Sequence, residues 1–162
     1  MMRKSKPQLR RLCAKVAFDL ILIDGNEYTG NFVQNQMHGQ GTMHFAGGDV
    51  YVGAWKEGQA SGQGVYTFKD GETVTGSFAL GVSSGRCTVR YRNGDIYVGN
   101  MEDDERHGRG TLTVAGHDDP DKPAGAYDGT WSKGKRDGAF FYTRAGGASS
   151  ENQTWKDGKR VS

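Results

Sequence analysis

Tyr51-Val-Gly-Ala-Trp-Lys-Glu-Gly-Gln-Ala-Ser-Gly-Gln-Gly-Val-Tyr-Thr-Phe-Lys-Asp-Gly-Glu-Thr73 is the stretch that decides the fold. Tyr51, Gly53 and Trp55 lie two apart and so share one face of an extended strand; a helix would scatter them. Gly64, Tyr66 and Phe68 alternate in the same way, and their neighbours Val65 and Thr67 are β-branched residues suited to the opposite, wetter face. Lys56-Glu-Gly58 and Lys69-Asp-Gly71 place glycine where a hairpin turn needs positive φ. The stretch therefore reads as two strands and their turns.

The same phase recurs along the chain. Tyr28-Thr-Gly30-Asn-Phe32, Tyr51-Val-Gly53-Ala-Trp55, Val74-Thr-Gly76-Ser-Phe78 and Tyr97-Val-Gly99-Asn-Met101 start 23 residues apart. A fifth copy, Tyr127-Asp-Gly129-Thr-Trp131, comes 30 residues after Tyr97, so a seven-residue insertion lies within 115–126, where a loop must carry it. A second signature follows in each unit: Gly39-Gln-Gly41, Gly62-Gln-Gly64, Gly85-Arg-Cys87, Gly108-Arg-Gly110 and the weaker Gly138-Ala-Phe140. The units predicted are 28–50, 51–73, 74–96, 97–126 and 127–152. A half-unit at 18–27 and a partial unit at 153–162, opened by Trp155-Lys-Asp-Gly158, flank them. A lone hairpin is marginal in water, so the units must stack edge to edge and bury their aromatic stripe together. At about 4.8 Å per strand, five units make a rod roughly 50 Å long. The expected fold is all-β: an elongated, single-layer antiparallel sheet of stacked hairpins.

Composition agrees with this reading. Glycine supplies 26 of 162 residues and proline only 3, yet 7 Phe, 7 Tyr and 3 Trp are spread along the chain, unlike glycine-rich disorder. No window approaches the run of about 20 apolar residues that a spanning helix needs. Cys13 and Cys87 form neither a disulfide framework nor a zinc knuckle, which points to a reducing compartment. The formal charge of +2 splits into +6 on residues 1–17 and −4 on the rest.

The order Tyr-x-Gly-x-Trp, then a glycine three residues later, then Gly-x-Gly, resembles the MORN repeat, with Tyr51 to Thr73 the nearest copy and residues 28–143 covered. Met101 in place of an aromatic, Val74 in place of tyrosine, and Cys87 and Phe140 in place of glycine depart from it. In that family the repeats occur in lipid kinases, junctional membrane proteins, a lysine methyltransferase and cytoskeletal or ciliary scaffolds. A chain that is nearly all repeat is most similar to the scaffolds, some of which pair end to end. The resemblance implies a non-enzymatic adaptor with protein partners in a cytoplasmic, cytoskeletal, ciliary or flagellar (axonemal) setting. Binding to phosphoinositide or another acidic lipid, or targeting of a separate enzyme, stands as the alternative. An end-to-end homodimer is a further partner; nucleic acid and cofactors are not expected.

Chemical motifs weigh little against the repeat phase. Gly81-Val-Ser83-Ser-Gly85 has the spacing of a nucleophile elbow, but it occupies the turn that holds Gly58 to Gly62 one unit earlier, and strand follows where the elbow needs helix. His38 and His107 share one repeat position about three units apart, too far to hold one metal. Neither Glu102 to Glu105 nor the cluster around Asp119 has the spacing of a calcium loop. No catalytic or metal residues are assigned.

Three contact sites are expected. The first is a partner groove along the aromatic stripe: Tyr28, Tyr51, Tyr97 and Tyr127 with Phe32, Trp55, Phe78, Met101 and Trp131, since a single-layer sheet cannot fully cover its own apolar face. The second is an anionic-surface contact formed by Arg3, Lys4, Lys6, Arg10, Arg11 and Lys15 together with Lys133, Lys135 and Arg136. In the basic arm, Leu9, Leu12, Cys13 and Val16 follow helical spacing. A short helix there is expected to cap the open edge of the first strand, with docking on an anionic surface and organelle targeting as the alternatives. The third is the insertion loop with His117, Asp118, Asp119 and Asp121.

Overall fold

The computed structural model describes the backbone of 17–21 and residues 25–116, 123–147 and 149–162. The expected N-terminal helix with its cations up to Lys15, and the insertion residues His117, Asp118, Asp119 and Asp121, lie outside the described residues.

Among the described residues thirteen strands form one antiparallel sheet in strict chain order. Five hairpins make up its body: β2 (Glu27–Val33) with β3 (Gln36–His44), β4 (Val50–Lys56) with β5 (Gln59–Thr67), β6 (Thr73–Ala79) with β7 (Val82–Arg90), β8 (Ile96–Glu102) with β9 (Glu105–Val114), and β10 (Gly125–Ser132) with β11 (Lys135–Arg144). β1 (Ala17–Ile21) pairs with β2 on one side, and β12 (Ser150–Lys156) with β13 (Lys159–Arg160) closes the other. The last hairpin starts earlier than its tryptophan suggested, because Glu151 occupies the leading tyrosine's phase.

Register explains the two signatures. Gly30, Gly41, Gly53, Gly64, Gly76, Cys87, Gly99, Gly110, Gly129 and Phe140 are successive cross-strand partners, so one nearly all-glycine row runs across the sheet. The first glycine of each Gly-x-Gly pair has a different duty. Gly62 sits where the β4–β5 register slips between Gly53 and Trp55, at φ +85°, a left-handed conformation that glycine enters without a Cβ clash. Its equivalents Gly39, Gly85, Gly108 and Gly138 share that sign of φ. This is why the first glycine persists in all five units while the second changes to Cys87 and Phe140.

Each hairpin tip is a two-residue turn with both φ positive, as at Glu57-Gly58 and Leu80-Gly81. Tips also dock on one another: the amides of Gly58, Gly81, Asp104, Gly134 and Gly158 donate to the carbonyls of Met37, Ala60, Ser83, Arg106 and Arg136. At the opposite margin, side chains 23 residues apart link the turns. Asn26, Asp49, Glu72 and Asp95 accept the backbone amides of Ala46, Lys69, Arg92 and Ala115. These ties hold the stack in register at both margins, and among the described residues the buried apolar side chains fall on the glycine-row face. The other face is exposed and carries Val52, Val65, Val98 and Phe141.

Candidate functional site

The glycine row is the floor on which the aromatic layer lies. Without side chains at Gly30 and Gly41, the Tyr28 ring lies flat over both, and a Cβ at either would run into it; Tyr51 covers Gly53 and Gly64 in the same way, and Tyr97 covers Gly99 and Gly110. Each phenol then donates to the carbonyl three residues on: Tyr28 to Asn31 at 3.2 Å, Tyr51 to Ala54 at 3.1 Å, Tyr97 to Asn100 at 2.8 Å. A second tier meets these rings edge-on. Trp55 lies 5.3 Å from Tyr28 and 5.1 Å from Tyr51, and Phe78 5.0 Å from Tyr51, in the T-shaped arrangement the ring quadrupole favours. The Trp55 and Trp131 indoles donate to Gly41 and Gly110. Burial pushes the phenols of Tyr51 and Tyr97 up to about 12 and raises Tyr28 and Tyr127 as well.

This geometry corrects the expected groove. Tyr28, Tyr51, Tyr97, Tyr127, Trp55, Phe78, Met101 and Trp131 are all buried, and Phe32 is half-buried. The sheet covers its own apolar face because the first tier lies flat in a trough that glycine provides and the second tier closes the edges. The stripe from Tyr28 to Trp131 is therefore core, while Phe68 is 40% exposed.

The layer opens at one end. In the fifth unit Phe140 replaces glycine, and its ring takes the place over Gly129 that a tyrosine holds elsewhere. Tyr127 is displaced against Tyr142, 4.6 Å away, and its hydroxyl reaches the Pro123 carbonyl at 3.5 Å. In the last hairpin Glu151 stands in the leading tyrosine's phase and Gln153 in that of the row glycine, opposite Phe140. No ring lies there, and a groove of about 1200 Å³ runs to this end from Glu72 and Tyr91, lined also by Arg106, Tyr127, Arg136 and Trp155.

Two arginines furnish this groove. Arg136 is 9% exposed, with its guanidinium 3.8 Å from the Tyr127 ring centre and 4.3 Å from that of Trp155. Arg106 stands 4.3 Å over Trp131 and donates to the Gly134 carbonyl at 2.7 Å. Burial lowers the pKa of Arg136, and the neighbouring Arg106 charge adds to this while the Tyr127 phenol opposes it. The expected cation cluster is therefore divided. Lys133 and Lys135 are exposed, but Arg136 is held between rings and is not a surface cation, because strand alternation sends it to the face opposite Lys135.

Arg106, Glu151, Gln153 and Trp155 were not singled out as a group from sequence. The available signal was phase: Arg106 and Arg136 occupy the position of Met37, Ala60 and Ser83, which are uncharged. Ser83 itself is 1% exposed, its hydroxyl has no hydrogen-bond partner, and strand β7 continues past it, so no base or helix supports it as a nucleophile. His107 faces Glu102 at 3.2 Å. Among the described residues no cluster of metal-ligating side chains occurs, and no helix is long and apolar enough to cross a membrane.

A family model for the MORN repeat matches residues 28–50, 51–73, 97–115 and 127–139. The intervening 74–96 forms hairpin β6–β7 in the same register, with Val74 and Cys87 in place of tyrosine and glycine. Comparison with curated proteins gives no match. Among solved structures, the chain is similar to the TCP domain of SAS-4 (dCPAP) of Drosophila melanogaster, in complex with a proline-rich motif of Ana2 (dSTIL). The two are 12% identical with a TM-score of 0.38, covering 95% of this chain and 99% of that one.

Proposed function

Since the chain belongs to the MORN-repeat family, we propose that it is a non-enzymatic scaffold that holds a protein partner, within a cytoskeletal or ciliary assembly, in the groove at the C-terminal end of its aromatic face. The observation that carries this reading is the interruption of the tyrosine layer. In the first four units Tyr28, Tyr51, Tyr97 and Cys87 cover the glycine row, whereas a groove runs from Tyr91 in the third unit to the last hairpin, where Tyr127, Trp131 and Trp155 border it. A groove with aromatic walls and a few convergent polar groups is the kind of surface on which a peptide segment anchors.

A membrane-adaptor role draws less support. Of the three expected anionic-surface cations that lie among the described residues, Arg136 is withdrawn among rings, while Lys133 and Lys135 are exposed at the same hairpin. The test is affinity purification of the tagged protein at gentle salt with mass spectrometry, run beside flotation on acidic vesicles. Stable cytoskeletal or axonemal partners without flotation are expected; flotation with no protein partner would overturn the scaffold reading.

A further inference from the structure

Arg106 and Arg136 share the wall of the groove and have no carboxylate partner among the described residues. Both approach Trp131, at 4.3 and 5.9 Å. Two like charges so placed repel, and burial makes each costlier; the ring faces of Tyr127, Trp131 and Trp155 offset part of that cost without neutralising it. Each guanidinium carries five donors in a fork that fits a carboxylate, of which Arg106 uses one on Gly134. The fold does not require cations at this position, since Met37, Ala60 and Ser83 fill it in the first three units.

The geometry points to an acidic peptide segment as the occupant of the groove, with its carboxylates on the guanidinium groups of Arg106 and Arg136 and an apolar neighbour against the half-buried Trp155. This rests on the reading of the groove as a protein-binding site and specifies the chemistry of what it binds. A peptide fits better than an anionic bilayer. Arg136 at 9% exposed lies out of reach of a flat surface, whereas a single side chain can enter the groove that it lines.

The test titrates the full chain by fluorescence anisotropy with a short labelled peptide of alternating glutamate and valine, and with its glutamine counterpart. Flotation on phosphatidylserine vesicles runs in parallel. The glutamate peptide should bind about tenfold or more tightly than the glutamine one, and Arg106→Met and Arg136→Met should each abolish that preference. Arg86→Met, exposed on the opposite face, should leave it unchanged. Near-ultraviolet circular dichroism checks the fold, and if Arg136→Met unfolds, the half-buried Arg106 decides alone. Absent binding, equal affinity for the two peptides, or an unchanged preference in Arg106→Met overturns the inference, as does vesicle binding that depends on Arg106. Protein partners captured equally by wild type and Arg106→Met would leave the scaffold standing without the acidic segment; no captured partner and no peptide binding would overturn both.

Discussion

The Cys87 thiol donates to the Ser77 carbonyl at 3.5 Å, at the repeat position that receives a tyrosine hydroxyl at Asn31, Ala54 and Asn100. In that unit the tyrosine is Val74, too short to cover the row, and the Cys87 sulfur lies over Gly76 instead. The pair Val74 and Cys87 thus does in the third unit what Tyr51 and Gly64 do in the second.

A thermal-unfolding cycle tests the exchange. Val74→Tyr alone should cost about 1–3 kcal/mol by overpacking against Cys87, and Cys87→Gly alone a similar amount by leaving the row uncovered. The double variant restores the family pair and should fall well short of the sum of the two losses. Simple additivity would contradict the exchange.

The two kinds of glycine should respond differently to alanine. At Gly64 a Cβ collides with the Tyr51 ring, so Gly64→Ala should cost more than about 2 kcal/mol and be partly rescued by Tyr51→Val. At Gly71, φ is +95° with open space around it, so Gly71→Ala should cost only about 1 kcal/mol and gain nothing from Tyr51→Val. Urea unfolding of the four variants reads both.

The buried phenols predict alkaline behaviour. Tyr51 and Tyr97 are pushed to about 12 by burial, and Tyr66 to about 12 by burial and then by its hydrogen bond to Asp49. An unfolded tyrosine ionises near about 10. A folded value above the unfolded one favours the neutral form, so this contribution is fully present below about pH 10 and is lost as pH rises from there toward 12. Ultraviolet titration should show this group of phenolates appearing together with loss of the strand signal. Ionisation of all seven tyrosines near 10 with the fold intact would contradict the burial.

The sheet was legible because its signals are local: the parity of Tyr51, Gly53 and Trp55, the turn glycines, and the 23-residue return. The face was legible but not its closure, since alternation shows that Tyr28 and Gly30 share a side without showing that the ring lies flat in the glycine trough. Arg136 was misplaced by grouping it with Lys133 and Lys135 along the chain, when strand parity alone puts it with Trp131. The groove was written in the departures from the repeat, Phe140, Glu151 and Gln153, which are visible in the sequence but gain meaning only once the row they interrupt is known.

The most direct measurement of the central claim is site-specific photo-crosslinking during affinity capture, from Lys159 at the groove and from Val52 on the opposite face. The account predicts one protein partner crosslinked in near-stoichiometric yield from Lys159 and little from Val52; crosslinks from Val52 alone, or to lipid alone, would contradict it.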